Sequence, residues 1–263
     1  MQETFYKVNI PFKAALIADL HDQPYDAVLA SLRRRQPGMI FIPGDLIYGT
    51  VPPTGLKIDK THVLPFLEHC AEIAPTFFSL GNHEWMLRDE DLARIEKTGA
   101  SVLDNRWLVS NGIAVGGLSS GRHSEYRKFC EACPTEPSTL MKTSNPLYPY
   151  MEFYAYLNKV TPRLNWLCDF EAFDGYKLLL SHHPEYYPLC LKDRKIDLIL
   201  SGHAHGGQWR FFGRGLFAPG QGLFPKLTSG VVDGRLVISR GLANMAPVPR
   251  LFNPPELVYL LPE

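Results

Sequence analysis

Residues 197–208 read DLILSGHAHGGQ, in which a short apolar run is followed at once by two histidines set between glycines. We predict a buried strand over Asp197 to Leu200, because apolar runs of this length are typical of strands covered on both faces. His203 and His205 are two residues apart and point the same way on an extended chain. The flanking glycines let the backbone approach a ligand closely. This stretch therefore predicts a polar site at the edge of a sheet.

Four more strand-like runs end in the same manner, and helical patterns separate them. Ligands of open α/β sheets lie beyond the carboxyl ends of the strands, so these ends are expected to converge. The strands are predicted over Ala14 to Ala18, Met39 to Ile42, Thr76 to Leu80 and Lys177 to Leu180, and helices over Tyr25 to Gln36, Val63 to Ala74 and Asp89 to Lys97. The alternation predicts an α/β fold.

The side chains at these strand ends are of the types that bind metals. Each short cluster alone is weak evidence, since a turn aspartate or a capping asparagine is common. Carboxylate, amide and imidazole ligands together suit Mn, Fe or Zn. His182 is preferred over His183 because it follows the strand directly. The predicted metal ligands are Asp19, His21, Asp45, Asn82, His182, His203 and His205, with His83 as a group that can transfer a proton.

Length and composition favour one domain over residues 1–263, with an insertion or cap-like excursion at about 119–162. The formal net charge is zero, with 27 basic and 27 acidic residues, so no nucleic-acid partner is predicted. No run is long enough for an integral membrane segment. The five cysteines are an odd number without framework spacing. Together these features predict a cytoplasmic setting.

The order of the motifs carries a resemblance. Asp-x-His, Gly-Asp, Gly-Asn-His-Glu, His and Gly-His-x-His follow one another between residues 19 and 205 and resemble the calcineurin-like metallophosphoesterase superfamily. The C-terminal stretches GHAHGGQWRFFGRGLFAPGQGL and LVISRGLANMAPVPRLFNPPELVYLLP are similar to its YkuE-like branch. The resemblance implies a four-layer α/β/β/α sandwich, with two mixed β-sheets flanked by helices.

The resemblance also implies a site with two divalent or trivalent metal ions (Mn, Fe or Zn). One ion would be held by Asp19, His21, Asp45 and His205, and the other by Asp45, Asn82, His182 and His203. A phosphodiester would be hydrolysed by attack of a metal-bridging hydroxide, with His83 as the catalytic histidine. The expected substrate is a small-molecule phosphoester, and a bulky or lipid-linked one is among the candidates.

Several alternatives stay open from the residues alone. The chain could be a phosphomonoesterase of the same fold, a dinuclear hydrolase of other bonds, or a metal-binding interaction scaffold without turnover. Glu84 could orient His83 or cap the following helix. Gln208 and Arg240 could reach a substrate.

Overall fold

The computed structural model describes part of the chain, and the excursion lies almost wholly outside that part. Only the two ends of the range 119–162 are described, and Cys130, Cys133 and the Pro/Gly-rich loop 49–56 fall outside as well. No helix within the described ranges has the length and apolar character that crossing a bilayer requires. The described residues are 1–47, 58, 61–120, 162–244 and 249–263.

Two six-stranded sheets form the centre of the fold, and both are mixed. In spatial order the first sheet contains β1 (Gln2–Val8), β16 (Glu256–Pro262), β2 (Ala14–Leu16), β3 (Met39–Ile42), β4 (Thr76–Ser79) and β5 (Ser101–Leu103). The second contains β14 (Gly230–Val232), β15 (Leu236–Ile238), β9 (Leu198–Ser201), β8 (Lys177–Ser181), β7 (Ile113–Leu118) and β6 (Arg106–Ser110). Two short ribbons follow β9 in the chain, one of β10 (Arg210–Phe211) with β11 (Arg214–Gly215) and one of β12 (Phe217–Ala218) with β13 (Gly222–Leu223).

Helices cover the outer faces of both sheets. Helix α1 buries Val28, Leu29 and Leu32 and ends at Gln36, whose left-handed conformation stops the helix just before a proline. The short helix α4 packs Phe170 beside the second sheet. The described helices are α1 (Asp26–Arg35), α2 (Val63–Ile73), α3 (Asp89–Lys97) and α4 (Leu167–Glu171).

Side-chain alternation along the strands creates three separate cores. In β3, Ile40 and Ile42 pack against the helices, whereas Met39 and Phe41 enter the core between the sheets. In the second sheet, Leu179 faces α4 rather than the first sheet. Successive side chains of a strand point to opposite faces, so a strand that is apolar throughout must be covered on both sides. The predicted four-layer α/β/β/α sandwich is confirmed.

The topology brings the predicted ligands to one edge. Strands β2, β3 and β4 run parallel, as do β7, β8 and β9, so the carboxyl ends within each set lie together. The backbone N–H of Asp19 donates to the carbonyl of Gly44, which joins the turns after β2 and β3. The backbone N–H of His203 donates to the Asp19 carboxylate, which joins the two sheets.

Candidate metal centre

Asp45 lies at the middle of a cluster of imidazoles. Its Oδ2 is 3.0 Å from Nε2 of His182, 3.8 Å from Nε2 of His21 and 3.9 Å from Nε2 of His83. The carboxylate is almost fully buried. A carboxylate has two oxygens, and Oδ1 is already held by the backbone N–H of His83 at 2.9 Å. Oδ2 is therefore the atom aimed at the ring nitrogens.

A second carboxylate organises the other side of the cluster. Oδ1 of Asp19 is 3.6 Å from Nε2 of His205 and 4.0 Å from Nε2 of His21. Three groups of side chains place all their candidate ligand atoms within 4.8 Å of one another. They are Asp19, His21 and His205; His21, Asp45 and His83; and Asp45, His182 and His203.

Several polar atoms of the cluster are buried without a hydrogen-bond partner. They include Nε2 of His21, Nε2 of His203 and Oδ1 of Asn82. Buried polar atoms are nearly always paired, because an unpaired one loses its hydration without compensation. Three such atoms on predicted ligands fit a cation as the missing partner.

The backbone at the strand ends is strained. Among non-glycine residues with positive φ are five of the predicted ligands, with φ between 46° and 65°. This left-handed region is rarely used by residues with a Cβ and persists where the surrounding structure enforces it, often at functional sites. The five are Asp19, His21, Asp45, His203 and His205.

Two glycines allow the turns to close on the carboxylates. A Cβ on Gly81 would lie 2.2 Å from Oδ1 of Asp45, and one on Gly202 would lie 2.6 Å from Oδ2 of Asp19. Neither contact is possible for a real side chain, so any other residue would push the carboxylates apart. The glycines of the Gly-Asn-His-Glu and Gly-His-x-His motifs are thus explained by packing around the cluster.

The protonation states of the imidazoles differ within the cluster. Nδ1 of His21 lies 3.2 Å from the carbonyl of Ile47, which can only accept, so Nδ1 carries the proton and Nε2 faces the cluster as an acceptor. Burial lowers the pKa values of His21 and His203 well below the ordinary histidine value. Burial also lowers the pKa of His182, but the charges of Asp45 and Asp19 outweigh it and raise that pKa to about 9. Metal binding at His182 would therefore release a proton.

Glu84 braces the turn that carries Asp45. Its carboxylate accepts from the backbone N–H groups of Gly81 at 2.7 Å, Asp45 at 2.8 Å, Leu46 at 2.8 Å and Ile47 at 3.2 Å. Burial and the neighbouring Asp45 charge raise its pKa to about 7. Of the two roles predicted for Glu84, the contacts favour a structural one that acts on Asp45 rather than on His83.

We expect Glu84→Gln to lower the free energy of unfolding of the metal-free protein by about 2 kcal/mol or more, because its amide group would face backbone donors and leave them buried without an acceptor. Urea denaturation measures this difference. Glu72→Gln is the matched control, since Glu72 is an exposed glutamate on α2. Equal stability of the Glu84→Gln variant and the wild type would show that the brace contributes nothing.

Two histidines of the strand-end motifs that were not predicted as ligands, His83 and His183, differ in exposure. His83 is 17% exposed, so it can meet a molecule from solvent while its Nε2 stays beside Asp45. Burial lowers its pKa. His183 is buried, with Nδ1 2.8 Å from Oγ of Ser120 and its ring 4.1 Å from that of His203. His183 therefore packs behind the cluster and does not face solvent.

Gln208 and Arg240, which could reach a substrate according to the sequence, both contact other side chains of the protein. Arg240 pairs with the buried Glu256 at 2.8 Å, which places its guanidinium in a structural ion pair rather than toward a substrate. Gln208 donates to Asn244. Arg250, which sequence reasoning missed, has Nη2 3.1 Å from Nδ1 of His205, and burial lowers its pKa to about 10. The role of Arg250 beside His205 is visible only in the folded chain, because the two residues are 45 positions apart and no local motif indicates their contact.

Comparisons with known proteins agree with the motif order. The family model of calcineurin-like phosphoesterases matches residues 12–207. An uncharacterized metallophosphoesterase of Aquifex aeolicus is 26% identical, over 86% of this chain and 73% of its own. Phosphodiesterase YaeI of Escherichia coli is 25% identical, over 78% and 65%. UDP-2,3-diacylglucosamine pyrophosphatase LpxG of Chlamydia muridarum is 28% identical, over 93% and 81%.

The match to the family model covers most of the chain, including every predicted ligand. The chain spans between 46% and 81% of the length of the relatives it matches. The finer YkuE-like resemblance stays a prediction. On the motif order, the two-sheet fold and the family match, the chain belongs to the calcineurin-like phosphoesterase family.

Proposed function

We propose that this protein is a metal-dependent phosphodiesterase whose centre is built around Asp45. The observation that carries the proposal is the convergence of carboxylates and imidazoles at one sheet edge, with unpaired buried nitrogens on His21 and His203. The family consists of metallophosphoesterases, which are hydrolases acting on phosphoester bonds. The names of the Escherichia coli and Chlamydia muridarum relatives support cleavage of a diester or pyrophosphate linkage.

The residues present fit two metal ions of the Mn, Fe or Zn type. When bound, the ions would act as Lewis acids that neutralise phosphoryl charge and make water a better nucleophile at neutral pH. In this assignment Asp45 serves both ions, since its Oδ2 faces histidines of both sets. One set is Asp19, His21, Asp45 and His205, and the other is Asp45, Asn82, His182 and His203.

His83 is the residue proposed to act on the leaving group. It lies beside Asp45 and remains partly exposed. The leaving group of a phosphodiester departs as an alkoxide, which needs a proton, and a positioned histidine is a residue type that can donate one. The backbone N–H of His83 donates to Asp45, so the position of the ring is tied to the carboxylate. His83 thus combines access to solvent with a fixed distance from the centre.

The substrate class follows from the relatives and from the family. A small phosphodiester with a bulky or lipid-linked group is proposed, because one relative is named for a diacylated sugar nucleotide. A phosphomonoesterase is the competing assignment within the family. The cytoplasmic setting expected from the cysteine pattern stays a prediction.

The test is a substrate panel on protein stripped of metal and reconstituted with Mn, Fe or Zn separately. We expect turnover of bis-p-nitrophenyl phosphate that exceeds turnover of p-nitrophenyl phosphate and disappears with chelator. A preference for the monoester would replace the diesterase by the monoesterase assignment. Cleavage of p-nitrophenyl acetate or a p-nitroanilide, without cleavage of either phosphate ester, would indicate a hydrolase of carboxylic ester or amide bonds. No turnover with any metal would favour the scaffold.

A further inference from the structure

Eight large apolar side chains are exposed after residue 206 among the described residues, and all except Val231 belong to one set. Scattered exposed apolar residues are normal, but contiguous ones mark sites of interaction with proteins or membranes. We call this set the ribbon surface, because most of it lies on the two ribbons β10–β11 and β12–β13. Its members are Phe211, Phe212, Phe217, Leu223, Phe224, Leu251 and Phe252.

Backbone and ring contacts hold the members of the ribbon surface together. Phe217 and Leu223 are direct partners across the β12–β13 ribbon. The ring centroids of Phe211 and Phe252 are 5.9 Å apart. The N–H of Arg210 donates to the carbonyl of Leu251, which ties the first ribbon to the C-terminal segment. These contacts form two groups of exposed side chains, and the backbone N–H of Leu216, which donates to the carbonyl of Trp209, joins the segments that carry them.

The two most exposed members of the ribbon surface lie just beyond the strands of the ribbons. Phe212 is fully exposed at the turn between β10 and β11, with φ of 51°, and Phe224 is 77% exposed just after β13. Side chains that project from short turns can enter a soft, deformable phase, whereas a rigid protein partner needs a matching concave surface. Aromatic and leucine side chains are those typical of interfacial insertion.

The charge of the segment suits an anionic surface. Residues 206–232 contain three basic residues and no acidic one, although the whole chain is neutral. Arg214 and Lys226 are exposed beside the aromatic residues. Among the residues that the structure describes, neither forms an ion pair with a carboxylate. Basic residues next to inserted apolar groups contact lipid phosphates and add affinity for anionic membranes.

We propose that the ribbon surface docks this protein on a bilayer that contains anionic lipids. The aromatic side chains would enter the boundary between head groups and acyl chains, and Arg214 and Lys226 would contact phosphates.

The segments that carry the ribbon surface are hydrogen-bonded to the turn that contains His205 and Gly207. Asn253 Nδ2 donates to the carbonyl of His205 at 2.8 Å, and the N–H of Leu216 donates to the carbonyl of Gly207 at 3.0 Å. Docking would therefore hold the candidate metal centre beside the membrane, where a lipid-linked phosphoester is reached without extraction. The docking itself needs no turnover, so it can be tested whatever the reaction proves to be.

The test is co-sedimentation of the full chain with sucrose-loaded vesicles of phosphatidylcholine, alone or mixed with phosphatidylglycerol. We expect binding to the mixed vesicles and a loss of at least about tenfold in partition coefficient for Phe212→Ser/Phe224→Ser, because both side chains leave the bilayer. Leu189→Ser/Val109→Ser is the control, since these two residues are exposed apolar positions outside the ribbon surface. Circular dichroism checks that each variant is folded.

A charge variant separates the two contributions. Arg214→Glu/Lys226→Glu should lose about tenfold in binding to mixed vesicles and little on phosphatidylcholine alone. Absence of wild-type binding to mixed vesicles would overturn the proposal, as would equal binding by Phe212→Ser/Phe224→Ser. Sedimentation velocity tests the alternative occupant. If the wild type were a dimer and Phe212→Ser/Phe224→Ser a monomer, the ribbon surface would bind a second copy of the chain and the membrane proposal would be wrong.

Discussion

Asp45→Ala should remove both metal ions and abolish most diester turnover. Asp45 is the one predicted ligand assigned to both ions, and its Oδ2 lies within 4 Å of three imidazole nitrogens. Loss of an outer-shell partner typically costs roughly 10–100-fold in metal affinity or activity. Loss of a shared ligand should exceed the upper end of that range, because two sites are lost at once.

Elemental analysis of the purified variant after dialysis measures this result directly. Asp45→Asn is the companion variant, since it keeps the size of the side chain and tests the charge alone. Asp174→Ala is the matched control, because Asp174 is an exposed carboxylate before β8. Retention of a full metal complement by folded Asp45→Ala would contradict the bridging assignment.

His83→Ala should keep the metal ions and lose about 10²–10⁴-fold in kcat, the usual contribution of a positioned proton donor. The residue is not among the seven predicted ligands, although its Nε2 lies near Asp45. The loss should be larger for a diester with an alkyl leaving group than for a nitrophenyl diester. A poor leaving group depends more on protonation than a good one does.

Single-substrate kinetics on both diesters, with metal content measured in parallel, checks this prediction. His69→Ala is the control, since His69 is an exposed histidine on α2. If His83→Ala lost as much metal as Asp45→Ala, His83 would be a metal ligand, and its grouping with His21 and Asp45 is compatible with that role. An equal loss on both leaving groups would remove its role as proton donor.

The fold was predictable where the apolar pattern was local. Met39–Ile42 and Asp89–Lys97 agree with their predicted bounds, because the first is a continuous apolar run and the second an amphipathic segment, and both patterns are local. Strand β1 was not predicted. It pairs in parallel with β16, more than 250 residues away. Its sequence QETFYKV contains no continuous apolar run of the kind that marked the predicted strands. Long-range pairing of this kind has no signature in a local window.

The candidate site was predictable because chemistry and topology coincide. Residues after several parallel strands must meet at one edge, and Asp, Asn and His at that edge can be recognised from sequence. The left-handed backbone at Asp19 and Asp45 was not predictable, since neither is a glycine. The four donors around Glu84 come from turns that meet only in the folded chain.

We propose that two metal ions bound at the Asp45 centre make this protein a phosphodiesterase. The most direct measurement titrates metal-free protein with Mn²⁺ and follows bound metal and bis-p-nitrophenyl phosphate turnover in the same samples. The account predicts that turnover rises with occupancy and reaches its plateau at about two ions per chain. Turnover that is independent of bound metal, or a chain that binds no metal at all, would contradict it.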